Sequence, residues 1–248
     1  MNMEPSAVGV FKPSQVQFVA WSSSITEEDN DVRWLSQQLR HRPPARVLDV
    51  GGGSGQFAAL LARATACQVD VLDPSPVAAE HFTAESGCAL IPGDFNTWSP
   101  PIGKRYDLVI FRLVLHHLIG RNNTATLRTQ AAALRRAAGM LSDKGRIYIL
   151  EVIYDPRVGV DSSGRLIYEA TRLQAPARAI RKLGANTAGE GVRFHSLAAW
   201  RRVFAEAGLE PETESVDTIW KPAFPWWQRH PLLCRTRYQW LTMLKPLA

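Results

Sequence analysis

The run Val47-Leu48-Asp49-Val50-Gly51-Gly52-Gly53-Ser54-Gly55-Gln56-Phe57-Ala58 sets β-branched residues, an acid, a glycine cluster and a helical pattern in direct succession. Strand, tight loop and helix N-terminus in that order bring backbone close to a ligand and offer unpaired N–H groups to its polar atoms. Two cofactor chemistries use such a loop. Gly53-Ser54-Gly55-Gln56-Phe57-Ala58 satisfies the G-x-G-x-x-A of dinucleotide binding, and Asp73, ending the next apolar run, can hold a ribose in either case. Asp49 tilts the balance, because a carboxylate beside the loop repels pyrophosphate and suits the ammonium of a methionine-like cofactor. A second chemical group is His116-His117, since an imidazole titrating near ~6.5 is matched to removing a proton from a hydroxyl at neutral pH. His195 and Glu151 follow as weaker candidates for the base.

Taken with their order along the chain, these residues resemble the class I S-adenosylmethionine-dependent methyltransferases, of the type that acts on small molecules. Gln68-Val69-Asp70-Val71-Leu72-Asp73-Pro74 is similar to the second strand of that family with its terminal acid, and Gly93-Asp94-Phe95 to the acidic turn after the third. Tyr106 to Leu118 is similar to the fourth strand and its L-H-H-L exit, and Met140 to Glu151 to the turn and fifth strand. The resemblance implies S-adenosylmethionine as cofactor. It places Asp49, Gly51, Gly53 and Gly55 at the methionine end and the loop, Asp73 on the ribose hydroxyls and Asp94 on the adenine amino group, with Pro74, Phe95 and Arg112 also lining the cofactor site. It further implies transfer of a methyl group to an oxygen or nitrogen, less often a carbon, of a small-molecule acceptor by in-line displacement. His117 and then His116 are the candidate general bases, although positioning alone can carry much of such a reaction. An NAD(P)-dependent oxidoreductase and a non-catalytic subunit of the same fold remain as alternatives.

Positioning these groups requires a sheet. Strand and helix signals alternate from Val47 to Leu150, the mark of a doubly wound α/β fold with a mostly parallel sheet and helices on both faces. Helices are expected at Gln56–Ala64, Val77–Ser86 and Thr126–Ala138, with His116 and His117 opening the helix after the fourth strand. Residues 1–44, rich in Phe11, Phe18, Trp21 and Trp34, precede the sheet as a helical segment of the same domain. There Thr26-Glu27-Glu28-Asp29 reads as a helix start and Pro43-Pro44 as its stop. This segment either closes over the ligands or packs a helix against the sheet. The remaining chain, 45–248, forms the body of the domain. It is interrupted at 154–195 by a cap insertion with a helical stretch from Leu166 to Leu183, where substrate selection is expected. Asn186 to Gly191 is a hinge or a solvent turn. Ser196 caps a helix ending at Gly208, and Thr213–Trp220 reads as a strand. Alternation of Tyr238, Trp240, Thr242 and Leu244 makes the tail a strand, which the resemblance makes the seventh and antiparallel one. That placement accounts for Trp240 without a lipid surface. Phe224, Trp226 and Trp227, in a proline-broken loop, are left to flank the pocket or a homodimer contact.

Composition narrows the partners. The 248 residues carry a net charge of +6, but the 15 basic and 13 acidic residues of 1–150 and the 14 and 10 of 151–248 leave no basic arm for nucleic acid. Arg172, Arg178, Arg181 and Lys182 form the densest cluster, a solvated helix face or a site for an anionic substrate. Ser99-Pro100-Pro101-Ile102 is similar to the box of amino-methylating enzymes but does not follow the fourth strand, which argues against methylation of nucleic-acid bases. The 3 cysteines are too few and scattered for a disulfide framework or metal clip, and no metal site is expected. No run of ~18 uncharged apolar residues exists, and the first residues lack signal-peptide order, so a cytoplasmic protein without stable membrane insertion is expected.

Overall fold

Leu108, Val109, Ile110 and Phe111 alternate between two buried faces, and that period of two is repeated in every central strand. The structure, a computed structural model, describes residues 24–82, 84–173, 189–217 and 234–247. In chain order the described elements are α1 (Asn30–Leu39), β1 (Arg46–Val50), α2 (Gln56–Thr65), β2 (Gln68–Asp73), α3 (Pro76–His81), β3 (Cys88–Pro92), β4 (Tyr106–Arg112), a 3-10 turn (Leu115–His117), α4 (Asn123–Ala138), β5 (Leu141–Asp155), α5 (Ser162–Arg172), α6 (Leu197–Glu206), β6 (Leu209–Asp217) and β7 (Thr236–Pro246). The sheet has seven strands in the order β3-β2-β1-β4-β5-β7-β6. The first five pair in parallel, and β7 runs antiparallel to both β5 and β6. This is the doubly wound α/β sheet with an antiparallel last strand that the alternation and the resemblance predict.

Each face is covered by helices whose apolar residues recur every three or four positions. On one side Leu35 and Leu39 of α1 and Phe57, Leu60 and Leu61 of α2 meet Val47, Val69, Val71, Leu108 and Tyr148. On the other, Leu134 of α4 and Trp200 and Phe204 of α6 meet Val109, Phe111, Ile149 and Trp240. Trp200, Phe204 and Trp240 form a stacked column with centroids 5.7 Å apart at each step. No described helix is long and apolar enough to cross a membrane.

Several boundaries differ from the sequence reading, each for a physical reason. The helix after β2 ends at His81 rather than Ser86, because Phe82 turns to extended backbone and lays its ring against Gly55. β6 starts at Leu209, four residues before the expected strand. It tolerates Pro211 because β6 is an edge strand, with a register irregularity between Pro211 and Thr213 that spares the missing N–H. β5 runs on to Asp155, taking the first residues assigned to the cap insertion. His116 and His117 do not open an α-helix. They sit on the 3-10 turn, and α4 begins at Asn123 with the Asn122 side chain accepting the Ala125 N–H at 2.8 Å. In the cap, helix α5 occupies Ser162–Arg172. The expected helical stretch beyond Leu173, Arg178, Arg181 and Lys182, Asn186 to Ala188, the N-terminal Phe11, Phe18 and Trp21, and Trp220, Phe224, Trp226 and Trp227 lie outside the described residues.

Candidate active site

Strand order reverses between β1 and β4, and at such a switch point the loops leaving the two strands diverge and open a crevice. The glycine loop leaves β1 on one side of it and the segment from Leu113 to Gly120 leaves β4 on the other. Gly51 and Gly55 have φ of +69° and +77°, values that strain any residue with a Cβ. A Cβ on Gly51 would also lie 2.7 Å from Val114 across the crevice, and one on Gly55 would enter the Phe82 ring. Gly55→Ala is therefore expected to cost about 1–2 kcal/mol of stability, read as a lowered urea midpoint.

Asp49, the last residue but one of β1, is buried with both carboxylate oxygens shielded from solvent and without a hydrogen bond. Its carboxylate lies directly beneath Gly52, where an added Cβ would collide with it. Burial pushes the Asp49 carboxyl up to about 7, the Arg112 guanidinium opposes that rise and the charge of Asp73 adds to it. An orphaned buried carboxylate under a glycine loop fits a cationic ligand group and opposes a pyrophosphate. Asp73, at the end of β2, accepts the Gly53 N–H at 3.0 Å and the Ser75 N–H at 2.8 Å, so it fixes the loop as well as facing it. Burial raises its carboxyl, and those two amides hold it down. Asp73→Ala is expected to weaken binding of S-adenosylhomocysteine by about 1.5–3 kcal/mol, measured by calorimetry.

Of the other residues assigned to the cofactor, Pro74 is exposed just past β2 and Asp94 is exposed after β3, with its carboxylate turned to the Asn96 amides at 2.8 and 2.9 Å. The Phe95 ring points away into the core, edge-on to Phe111 at 5.3 Å, so only its backbone borders the turn. Arg112, at the end of β4, is buried over the Phe57 ring and ion-paired to Asp31 of α1. That pair ties the leading helix to the switch point. Nothing in the sequence marks Asp31 as its partner, because 81 residues separate them.

The two histidines part company. His117 is exposed, whereas His116 is 6% exposed and faces Glu151, which is fully buried on β5. Glu151 accepts from His116 twice, from Nδ1 at 2.8 Å and from the backbone N–H at 3.2 Å. The turn that allows this begins at Leu113, a non-glycine residue at φ +58°. Phe194 stacks on the His116 ring at 4.4 Å, and the His117 ring lies 4.2 Å away. His195 is not available as a base, because both ring nitrogens are occupied by acceptors: Nδ1 meets the Asp161 carboxylate at 2.8 Å and Nε2 meets Gln130 Oε1 at 2.7 Å.

Residues 29–214 match a family model described as a methyltransferase domain. The chain belongs to that methyltransferase family. S-adenosylmethionine is the methyl donor that family uses, and this chain's glycine loop, orphaned Asp49 and Asp73, which accepts the Gly53 N–H, fit that molecule better than a dinucleotide. Solved structures share the fold. Human N-acetylserotonin methyltransferase, in complex with S-adenosylmethionine, is 18% identical with a TM-score of 0.57, over 94% of this chain and 56% of that one. The N-methyltransferase NodS of Bradyrhizobium japonicum, in complex with S-adenosylhomocysteine, is 13% identical with a TM-score of 0.53, over 94% and 98%. An O-methyltransferase of neocarzinostatin biosynthesis, solved with S-adenosylmethionine and 2-hydroxy-5-methyl naphthoic acid, is 18% identical with a TM-score of 0.51, over 94% and 58%. This methyltransferase thus spans little more than half the length of several structures it matches. No curated protein sequence matches it.

Proposed function

We propose that this methyltransferase acts on an oxygen or nitrogen nucleophile of a small-molecule acceptor, with His116 as general base. The observation that carries the reading is the His116–Glu151 pair at the mouth of β4. With Glu151 accepting from Nδ1, the imidazole is held in the tautomer whose lone pair sits on Nε2, and among the described residues Nε2 has no hydrogen-bond partner. When bound, S-adenosylmethionine supplies an electrophilic methyl group on a sulfonium centre. Nε2 of His116 takes the proton from the acceptor hydroxyl or amine, and Glu151 stabilises the imidazolium so formed. Asp49, Gly51, Gly53, Gly55 and Asp73 hold the cofactor from the β1–β2 side, Asp94 and Pro74 border its far end, and Arg112 holds α1 beside it. Residues 1–44 and the cap insertion at 154–195 belong to the same domain as the sheet. Two structural neighbours named as O-methyltransferases, one of them a putative one and the other solved with a hydroxylated naphthoic acid, support a small acceptor.

Incubation with S-adenosylmethionine carrying a labelled methyl group, against a panel of phenols, enols and amines, tests the reading. Label on a small acceptor supports it. Label only on nucleic acid or protein overturns it.

A further inference from the structure

Pairing of β4 with β5 stops at Arg112 and Leu150, and beyond that point His195 bridges to Ile153 while the Tyr154 N–H donates to the His195 carbonyl at 3.0 Å. Residues 192–196 therefore take the place that β4 vacates, and the His116 turn is wedged against them. The Arg193 N–H donates to the His116 carbonyl at 2.8 Å, and Phe194 stacks on its ring with 26° between the planes. What fixes this segment is Asp161, the residue before α5. It stands at the N-cap position, yet its side chain makes no cap bond to its own helix. Its carboxylate accepts instead from His195 Nδ1 at 2.8 Å, from the Ser196 N–H at 2.7 Å and from the Arg193 guanidinium at 2.5 Å. A second path leads to the same turn: His195 Nε2 meets Gln130 Oε1 at 2.7 Å, and Gln130 Nε2 donates to the Leu115 carbonyl at 3.0 Å. Gln130 and His195 are fully buried. Gly164 of α5 lies so close that a Cβ there would enter the Phe194 carbonyl and the Arg193 guanidinium. Buried ionic groups of this kind add little net stability over apolar residues, but they suit the selection of one geometry.

We propose that Asp161 is a positioning residue for the reaction: through Arg193 to Ser196 it seats Phe194 on the His116 imidazole, and through His195 and Gln130 it holds the turn that carries His116. The inference rests on His116 being the base. Asp161 touches neither cofactor nor acceptor in this role. It acts by leaving the imidazole one orientation and one tautomer, and it links the seating of cap helix α5 to the readiness of the base.

The test uses the full chain with histidine labelled by 15N in the ring, read by long-range proton–nitrogen correlation, the His116 signals being those lost in His116→Gln. The native protein is expected to give a single Nδ1–H tautomer of His116. Asp161→Asn and Phe194→Leu are each expected to replace it with an averaged pattern, and Phe194→Tyr to retain it, with S-adenosylhomocysteine affinity the same in all four proteins. Should Asp161→Asn fail to fold, Phe194→Leu against Phe194→Tyr decides alone. A single tautomer persisting in the Asn and Leu variants, with only the melting temperature lowered, would make the cluster an anchor for α5 and overturn the proposal, as would averaging in the native protein. Failure of the base assignment shows separately, as undiminished label transfer by His116→Gln.

Discussion

His116→Gln is expected to lower methyl transfer by ~10²- to 10⁴-fold, the ordinary contribution of a positioned general base, while S-adenosylhomocysteine affinity stays at the native value. The reason lies in how the ring is held. Glu151 accepts from Nδ1 and from the backbone N–H of the same residue, so the turn and the imidazole are fixed together. Glutamine keeps a donor for the buried carboxylate and so avoids leaving Glu151 uncompensated, which alanine would do. The loss measured is then that of the proton acceptor rather than of the fold. His117→Gln is expected to leave the rate nearly unchanged, since that side chain is exposed, whereas His116 is the one seated on Glu151. Equal rates for native protein and His116→Gln, in label transfer to an acceptor found by the screen, would leave positioning as the main source of catalysis. A large loss only in His117→Gln would reverse the order of the two histidines.

The central strands were legible because burial on both faces writes a nearly continuous apolar run, as in Leu108 to Phe111, and the glycine loop because positive φ demands glycine. The tail strand was legible from its period of two. What escaped the sequence was a matter of pairing across distance. Asp31 and Arg112, or Asp161 and His195, look like ordinary surface charges until the fold brings them together over 81 and 34 residues. The order proposed for the two histidines was not legible for the same reason: two adjacent imidazoles are chemically alike, and only the Glu151 carboxylate, 35 residues on, distinguishes them in the fold. The mistaken helix start at the histidines follows from Leu113, whose left-handed backbone bends the chain before a helix can begin. The signal for the true start, Asn122 as a cap, was present and unread.

Binding of S-adenosylhomocysteine is expected to weaken about tenfold per pH unit below pH 7, because each unit costs one proton displaced from Asp49. An aspartate in the unfolded chain titrates near ~3.9. In the fold, burial pushes Asp49 up to about 7, against the pull of Arg112. Between those two values the native state carries a proton that the unfolded state does not. This group therefore supports the ligand-free fold most fully at the acid end of the window, and that support is lost as pH rises through about 7. An ammonium placed against the carboxylate reverses the preference, since it rewards the charged form. Proton release on binding should accordingly appear at pH 6 and vanish at pH 8, seen as a binding heat that depends on the ionisation enthalpy of the buffer. Asp73, whose carboxyl is also raised, is separated from Asp49 by the variant Asp49→Asn. That variant should bind more weakly at pH 8 and show a flat profile down to pH 6, with the acid-side gain in melting temperature of the ligand-free protein also gone. A native affinity identical at pH 6 and pH 8, or an unchanged slope in Asp49→Asn, would remove Asp49 from the ammonium site and leave its buried, unbonded oxygens without a ligand to explain them.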